Sequence, residues 1–176
     1  MSRIFGPVYQ NGYIVRDLDE ALDYWVNKVG VGPFYRIPVE FDHYVHKGVA
    51  SSPLLEVALG NTGDLQIELI VQHNDAASAY TEFLEQHGPG LQHLSVWTEE
   101  FDTDAARLLA QGQKIVTEAS IKGAGRVHFY DTDIPGTTGG QMEVLERTEL
   151  AKFVMETVRQ EAIGWDGRDP VRRFAE

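Results

Sequence analysis

The chain has no cysteine, which removes disulfides, thiolate metal ligands and a cysteine nucleophile together. It also lacks any apolar run near the roughly 20 residues that a membrane-spanning helix needs. Its first residues, through Pro7, show no apolar core of a secretory signal. The cytoplasm is therefore the expected location. Positive charge is scarce: 15 Lys and Arg stand against 27 Asp and Glu, a formal net charge of −12. Such a surface repels phosphate backbones and anionic lipid, so neither nucleic acid nor a membrane is an expected partner. A strongly anionic substrate would need a local basic patch. What remains is 176 residues with an ordinary 43% hydrophobic content, enough for one well-buried domain.

The most informative feature present is a repeat. Aligning His93 with Gln10 brings Ser95 onto Gly12, Glu100 onto Asp17, Phe101 onto Leu18 and Asp102 onto Asp19. Each copy runs on into a helix-patterned segment and closes with a similar pentapeptide. These are Gln66-Ile67-Glu68-Leu69-Ile70 and Gln141-Met142-Glu143-Val144-Leu145. Duplication of this kind implies two modules of one design. It also marks four polar residues, Gln10, Glu68, His93 and Glu143, at equivalent points of the two copies.

The local pattern predicts the same order of elements twice. A strand is expected over 8–15, followed by a helix capped by Asp17 with Glu20 three positions on. The helix carries an apolar stripe of Ala21, Leu22, Trp25, Val26 and Val29 and stops at Gly30. Extended segments follow over 34–41, around 44–49, over 54–59 and over 65–71, the last two joined through Gly60, Asn61 and Gly63. A linking helix is predicted over 75–86. The second copy then offers a strand over 91–98, a helix with Phe101, Ala105, Leu108 and Leu109 on one face, and strands near Ile115 and over 126–131 and 141–145. A third amphipathic stripe predicts a helix over 149–162, before a turn-rich tail in which Trp165 is the natural anchor. The fold class expected is α+β: two paired βαβββ modules (8–72 and 91–147) within a domain over 1–147, and a C-terminal helix and tail over 148–176 packed on it.

Strand alternation assigns faces. Ile67 and Leu69, Met142 and Val144, and Leu94 and Val96 should pack under helices, which leaves Glu68, Glu143 and His93 on the opposite face with Gln10. Any one of these alone reads as decoration on the wet side of a sheet. Four at matching points of a repeat read as a shared site. The same rule, taking Val127 and Phe129 as the helix-facing pair, aims Arg126, His128 and Tyr130 into the concave side.

These features resemble the vicinal oxygen chelate superfamily, which includes glyoxalase I, methylmalonyl-CoA epimerase, extradiol dioxygenases and bleomycin- and fosfomycin-resistance proteins. The resemblance is carried by Gln10 to Asp19, Gly32-Pro33-Phe34, Ile67-Glu68-Leu69 and the strand at His93, and it spans about 8–147. It implies a curved, half-open mixed-sheet cup. By position it implies metal ligands at Gln10, Glu68, His93 and Glu143, a set suited to a divalent Zn, Ni, Co, Mn or Fe ion. The reaction class implied is a metal-dependent isomerase, epimerase or lyase acting on a small or mid-sized hydroxy-carbonyl substrate through an enolate or enediolate. Glu143, with Glu68 second, would be the proton shuttle. Ring-cleaving dioxygenase chemistry is disfavoured, because Gln10 stands where that branch has histidine. The remaining alternative is a non-catalytic binder of small molecules. Arg126, His128, Tyr130, Tyr44, His46 and Phe34 are the expected substrate contacts. A homodimer is implied, with the question of whether one site lies within a chain or across two left open.

Overall fold

The structure is a computed structural model that describes residues 2–131 and 140–174. The stretch 132–139 of the expected second module, and the last two residues of the expected tail, lie outside the described residues. Eleven strands form one sheet: β1 (Gln10–Ile14), β2 (Phe34–Val39), β3 (Phe41–His46), β4 (Val49–Ala50), β5 (Leu55–Thr62), β6 (Leu65–Gln72), β7 (Gly90–Thr98), β8 (Lys114–Ile121), β9 (Gly125–Asp131), β10 (Gln141–Glu146) and β11 (Val171–Arg172). The helices are α1 (Leu18–Tyr24), α2 (Ala79–His87), α3 (Phe101–Ala110) and α4 (Glu149–Ala162). None of the described helices is long and apolar enough to cross a membrane.

The order across the sheet is β11-β2-β5-β6-β1-β7-β10-β9-β8-β3-β4. Each module therefore contributes four neighbouring strands, β2-β5-β6-β1 and β7-β10-β9-β8. The modules meet where β1 runs antiparallel to β7, while β1–β6 and β7–β10 are parallel pairs. One expectation needs correcting. The extended patch around Tyr44 does not extend its own module; β3 pairs with β8 at the far edge of the second one. Only Glu40 separates β2 from β3, so two strands near opposite ends of the sheet order are joined by a single residue. The sheet must curl until its ends approach, and this covalent tether makes it a cup.

Helix α1 starts where expected, with Asp17 Oδ1 accepting from the backbone N–H groups of Asp19 and Glu20. It widens into a π-helical turn, Trp25–Val29, and ends at Gly30, whose φ of 81° is the left-handed conformation that glycine adopts without strain. On the outer side of the sheet, Leu18 and Leu22 of α1 cover Phe34, Ile67 and Leu69. In the second module, Phe101 and Leu108 of α3 cover Val96, Tyr130, Met142 and Val144. The third and largest cluster fills the concave side and includes Ile14, Val57, Leu59, Ile70, Phe129, Tyr80 and Phe83 of α2, and Val158 of α4.

The C-terminal segment closes back over the cup. Thr148 caps α4 through Ala151 N–H and ties it to the Ala124 carbonyl. Arg159 pairs with Asp64 in the turn between β5 and β6. The Trp165 ring lies so close to Gly32 that a Cβ there would sit 2.7 Å from it, and its indole N–H donates to the Arg168 carbonyl. Strand β11 then pairs with β2, and Phe174 packs on Tyr35. Trp165 thus anchors the tail, as its sequence context suggested.

Candidate active site

Gln10, Glu68, His93 and Glu143 come from β1, β6, β7 and β10, the four central and mutually adjacent strands. All four belong to one chain. Register places Gly12 opposite Glu68 on one side and His93 on the other, and Glu143 opposite Ser95. Because directly opposed residues share a face, the two modules bring their marked side chains to one floor. His93 Nε2 lies 3.3 Å from Glu68 Oε2 and 3.8 Å from Glu143 Oε2. Gln10 is 4% exposed, His93 1% and Glu143 7%.

The surroundings orient each group. Ser95 Oγ donates to Glu143 Oε1 at 2.6 Å. Gln10 donates its amide N–H to Gln66 Oε1 at 2.9 Å, which turns its own oxygen the other way. That oxygen, Gln10 Oε1, and His93 Nε2 are both buried without a hydrogen-bond partner. Two further such atoms, Trp97 Nε1 and Arg147 Nε, lie elsewhere: Trp97 stacks on Tyr9, and Arg147 pairs with Glu99 and Glu156. Buried polar atoms are ordinarily satisfied, so two left unpaired beside two carboxylates would suit a bound cation. Burial disfavours a charged imidazole, yet the Glu143 and Glu68 carboxylates outweigh it and hold the His93 pKa above its usual value. Burial raises the Glu143 pKa, and the neighbouring Glu68 adds to the rise, while His93 and Ser95 oppose it.

Donors held about 2.0–2.2 Å from an ion stand about 2.8–3.6 Å apart around it. The His93–Glu68 separation falls within that span and the His93–Glu143 separation just beyond it. Among the described residues, no group of three or more His, Cys, Asp or Glu side chains is arranged to hold a metal ion. One donor here is an amide, and Glu143 is turned to Ser95. The residues fit a divalent ion by donor type and by their two free lone pairs.

Above the floor opens a cavity of about 360 Å³, near the lower end of ligand-sized cavities. Gln10, Gln66, Glu68 and Glu143 are its polar base, while His93, 3.3 Å from Glu68, does not itself line it. Its walls are apolar, with Ile37, Val57, Leu59 and Leu145 from strands and Leu150, Val154 and Met155 from α4. Among the described residues, the only basic one lining it is Lys122, at the rim and paired with Glu40 at 2.9 Å.

The expected substrate contacts are placed elsewhere. Arg126 lies on the outer face, binding Asp102 and Glu146 and covering the Phe101 ring at 4.5 Å. His128 packs on Phe101, and burial lowers its pKa. Tyr130 is wholly buried under α3. The cause is register: β9 sets Phe129 opposite Glu143 and His128 opposite Val144, so the apolar pair of that strand faces the cup. The rule that apolar faces pack under helices fails here because the cup interior is itself apolar. Phe34 is buried under α1 against Gly60. Tyr44 lies in the interior cluster, its hydroxyl accepting from Ala79 N–H. His46 is bound between Thr117 and Glu82. None of the six lines the cavity. Sequence reasoning missed Gln66, Gln92 and Ser95, which bind Gln10, His93 and Glu143, and Gln141, which binds Gln92. The only available signal was that both closing pentapeptides begin with Gln.

Comparison with known proteins agrees with this architecture. A hypothetical protein from Bacillus halodurans C-125 superposes with a TM-score of 0.59 at 16% identity, covering 81% of this chain and 95% of that one. Methylmalonyl-CoA epimerase from Mycobacterium tuberculosis gives 0.57 at 22% identity, over 87% and 95%. A variant of the Streptomyces coelicolor methylmalonyl-CoA epimerase, in complex with 2-nitronate-propionyl-CoA, gives 0.54 at 21% identity, over 82% and 96%. At these identities the likeness is one of fold. No curated protein matches the chain. The family described as Glyoxalase/Bleomycin resistance protein/Dioxygenase superfamily matches residues 9–130, and it is to this superfamily that the chain belongs.

Proposed function

We propose that this protein is a divalent-metal-dependent epimerase or isomerase that moves a proton next to a carbonyl in a small or mid-sized, largely apolar hydroxy-carbonyl compound. The observation that carries the reading is the pair of buried, partnerless lone pairs on Gln10 and His93, beside two carboxylates at the base of an apolar cavity. Gln10, Glu68, His93 and Glu143 would hold the ion. Bound there, a divalent ion supplies Lewis-acid polarisation of a substrate oxygen.

The chain's own groups do the rest. Glu143 takes the proton from the carbon beside the carbonyl; in an isomerase it returns it to the neighbouring carbon, and in an epimerase Glu68 delivers a proton to the opposite face. Ser95, donating to Glu143 Oε1, keeps the carboxylate aimed. The apolar walls from β2, β5 and α4 exclude water and take the substrate's hydrocarbon part. Two carboxylates at the base, and a rim lysine already paired, support a substrate without a large anionic carrier. A two-histidine, one-carboxylate iron face is not available from this donor set, which has one imidazole.

Elemental analysis of the purified chain tests the reading. About one divalent ion per chain is expected, lost in His93→Ala. Glu143→Gln should then abolish incorporation of solvent deuterium into substrate by a larger factor than its loss of metal. A chain that binds no divalent ion, yet takes apolar ligands in the cavity, would be a binding protein and would overturn the proposal.

A further inference from the structure

We infer that Gln92 is a positioning residue that sets the tautomer of His93 and so directs a free ring lone pair to the cavity floor. The inference rests on the proposed cation site for its purpose but not for its geometry.

The geometry begins with an irregularity in β7. Its register against β1 slips between Gly12 and Tyr13: Gly12 faces His93, whereas Tyr13 faces Leu91. Gln92 is the extra residue, so the regular alternation that would send consecutive side chains to opposite faces is broken. As a result Gln92 and His93 touch although they are neighbours in sequence, with Gln92 Oε1 at 2.6 Å from His93 Nδ1. Gln92 is 1% exposed, and its amide nitrogen donates to Gln141 Oε1 at 2.9 Å. Gln141 lies opposite His93 across the β7–β10 pairing.

An amide whose nitrogen is committed to one neighbour presents only its oxygen to the other. Gln92 Oε1 can only accept, so Nδ1 must carry the ring proton. In the neutral imidazole Nε2 is then bare. That atom is the one left buried without a partner, and it faces Glu68 and Glu143. Module one does the same in simpler form. Gln66, the repeat counterpart of Gln141, accepts from the Gln10 nitrogen and leaves Gln10 Oε1 free. Each copy thus uses the first residue of its closing pentapeptide to turn the donor on its opening strand. In the second copy Gln92 is inserted between them, because the ring of His93 needs an acceptor at Nδ1.

Two-bond 1H–15N correlation spectra of the full, metal-free chain test this, recorded at a pH where the His93 ring is neutral. The expected wild-type signal is the Nδ1–H tautomer. Gln92→Glu, which retains an acceptor, should keep it; Gln92→Leu should give Nε2–H or a mixture. Zinc affinity should fall about 10–100-fold in Gln92→Leu and be restored in Gln92→Glu. Gln141→Leu, which frees the Gln92 amide to rotate, provides a second route to the same mixed signal if Gln92→Leu fails to fold. An Nε2–H signal in the wild type, or an unchanged tautomer in both leucine variants, would overturn the inference. A wild-type chain that shows the expected tautomer but binds no divalent ion would defeat the proposed function and leave the tautomer assignment standing.

Discussion

Replacing Gly12 by alanine should damage the site through one added methyl group. Gly12 occupies ordinary backbone space, with no left-handed φ to satisfy, so its need for glycine is purely steric. A Cβ built there lies 2.1 Å from His93 Cε1, 2.3 Å from Nε2 and 2.6 Å from Nδ1. Carbon atoms rest at about 3.5–4.0 Å, so the ring would have to retreat by roughly 1.4 Å or more. It has little room to do so. His93 is 1% exposed, Phe129 stands edge-on at 5.3 Å, and Gln92 holds Nδ1 at 2.6 Å. Overpacking of this kind costs about 1–3 kcal/mol, a fall in melting temperature of roughly 2–12 °C for a domain of this size.

Gly90 supplies the control. It lies on the same strand as His93, and a Cβ there meets nothing within 4 Å. Gly90→Ala should therefore stay within about 1 kcal/mol of wild type. Urea unfolding of Gly12→Ala in the wild-type and His93→Ala backgrounds completes a double-mutant cycle. Removing the ring should remove most of the cost, giving a coupling of about 1 kcal/mol or more. Equal costs in the two backgrounds would show that Gly12 is needed for something other than the imidazole, and the register drawn here for β1 and β7 would be wrong.

Two further outcomes follow from groups away from the floor. Glu56 binds Arg36 through both oxygens, at 3.0 and 2.8 Å, and this pairing lowers its pKa in the folded chain. A depressed carboxylate contributes stability that is complete above its unfolded value of about 4.3 and is lost as pH falls through the lower folded value. Glu56→Gln should cost about 1–3 kcal/mol at neutral pH and flatten that acid dependence in urea titrations. An unchanged slope would remove Glu56 from the account. Arg126→Ala should leave zinc binding within about twofold of wild type and cost only about 0.5–1 kcal/mol, since the pair with Asp102 is largely exposed. A large loss of metal measured by calorimetry would return Arg126 to the site from which β9 register removes it.

Much of the architecture was open to reading in the linear chain, because duplication and periodicity are properties of sequence. The match of Gln10-x-Gly12 to His93-x-Ser95 and the paired Gln-x-Glu pentapeptides marked the modules, four candidate donors and their common face without any coordinate. Alternation placed Ile67, Leu69, Met142 and Val144 under helices, where they lie. The assumption behind that success, that one face of each strand is apolar and the other wet, is also what misplaced Arg126, His128 and Tyr130. In a cup both faces are apolar, and only strand pairing tells them apart.

The sequence by itself determined that two copies of one unit exist and which residues are equivalent in them, since repeats, caps and alternation need only neighbours along the chain. Tertiary structure decided the rest. It sent β3 to the edge of the other module, because backbone hydrogen bonds of any exposed strand edge can accept any extended segment. It set Gln92 beside His93 through a slipped register that no local pattern announces. It also folded α4 back over the concave side, so that Leu150, Val154 and Met155, which as a sequence read only as an amphipathic helix, became walls of the cavity. An apolar stripe states that a surface must be covered; what covers it depends on where the rest of the chain lies.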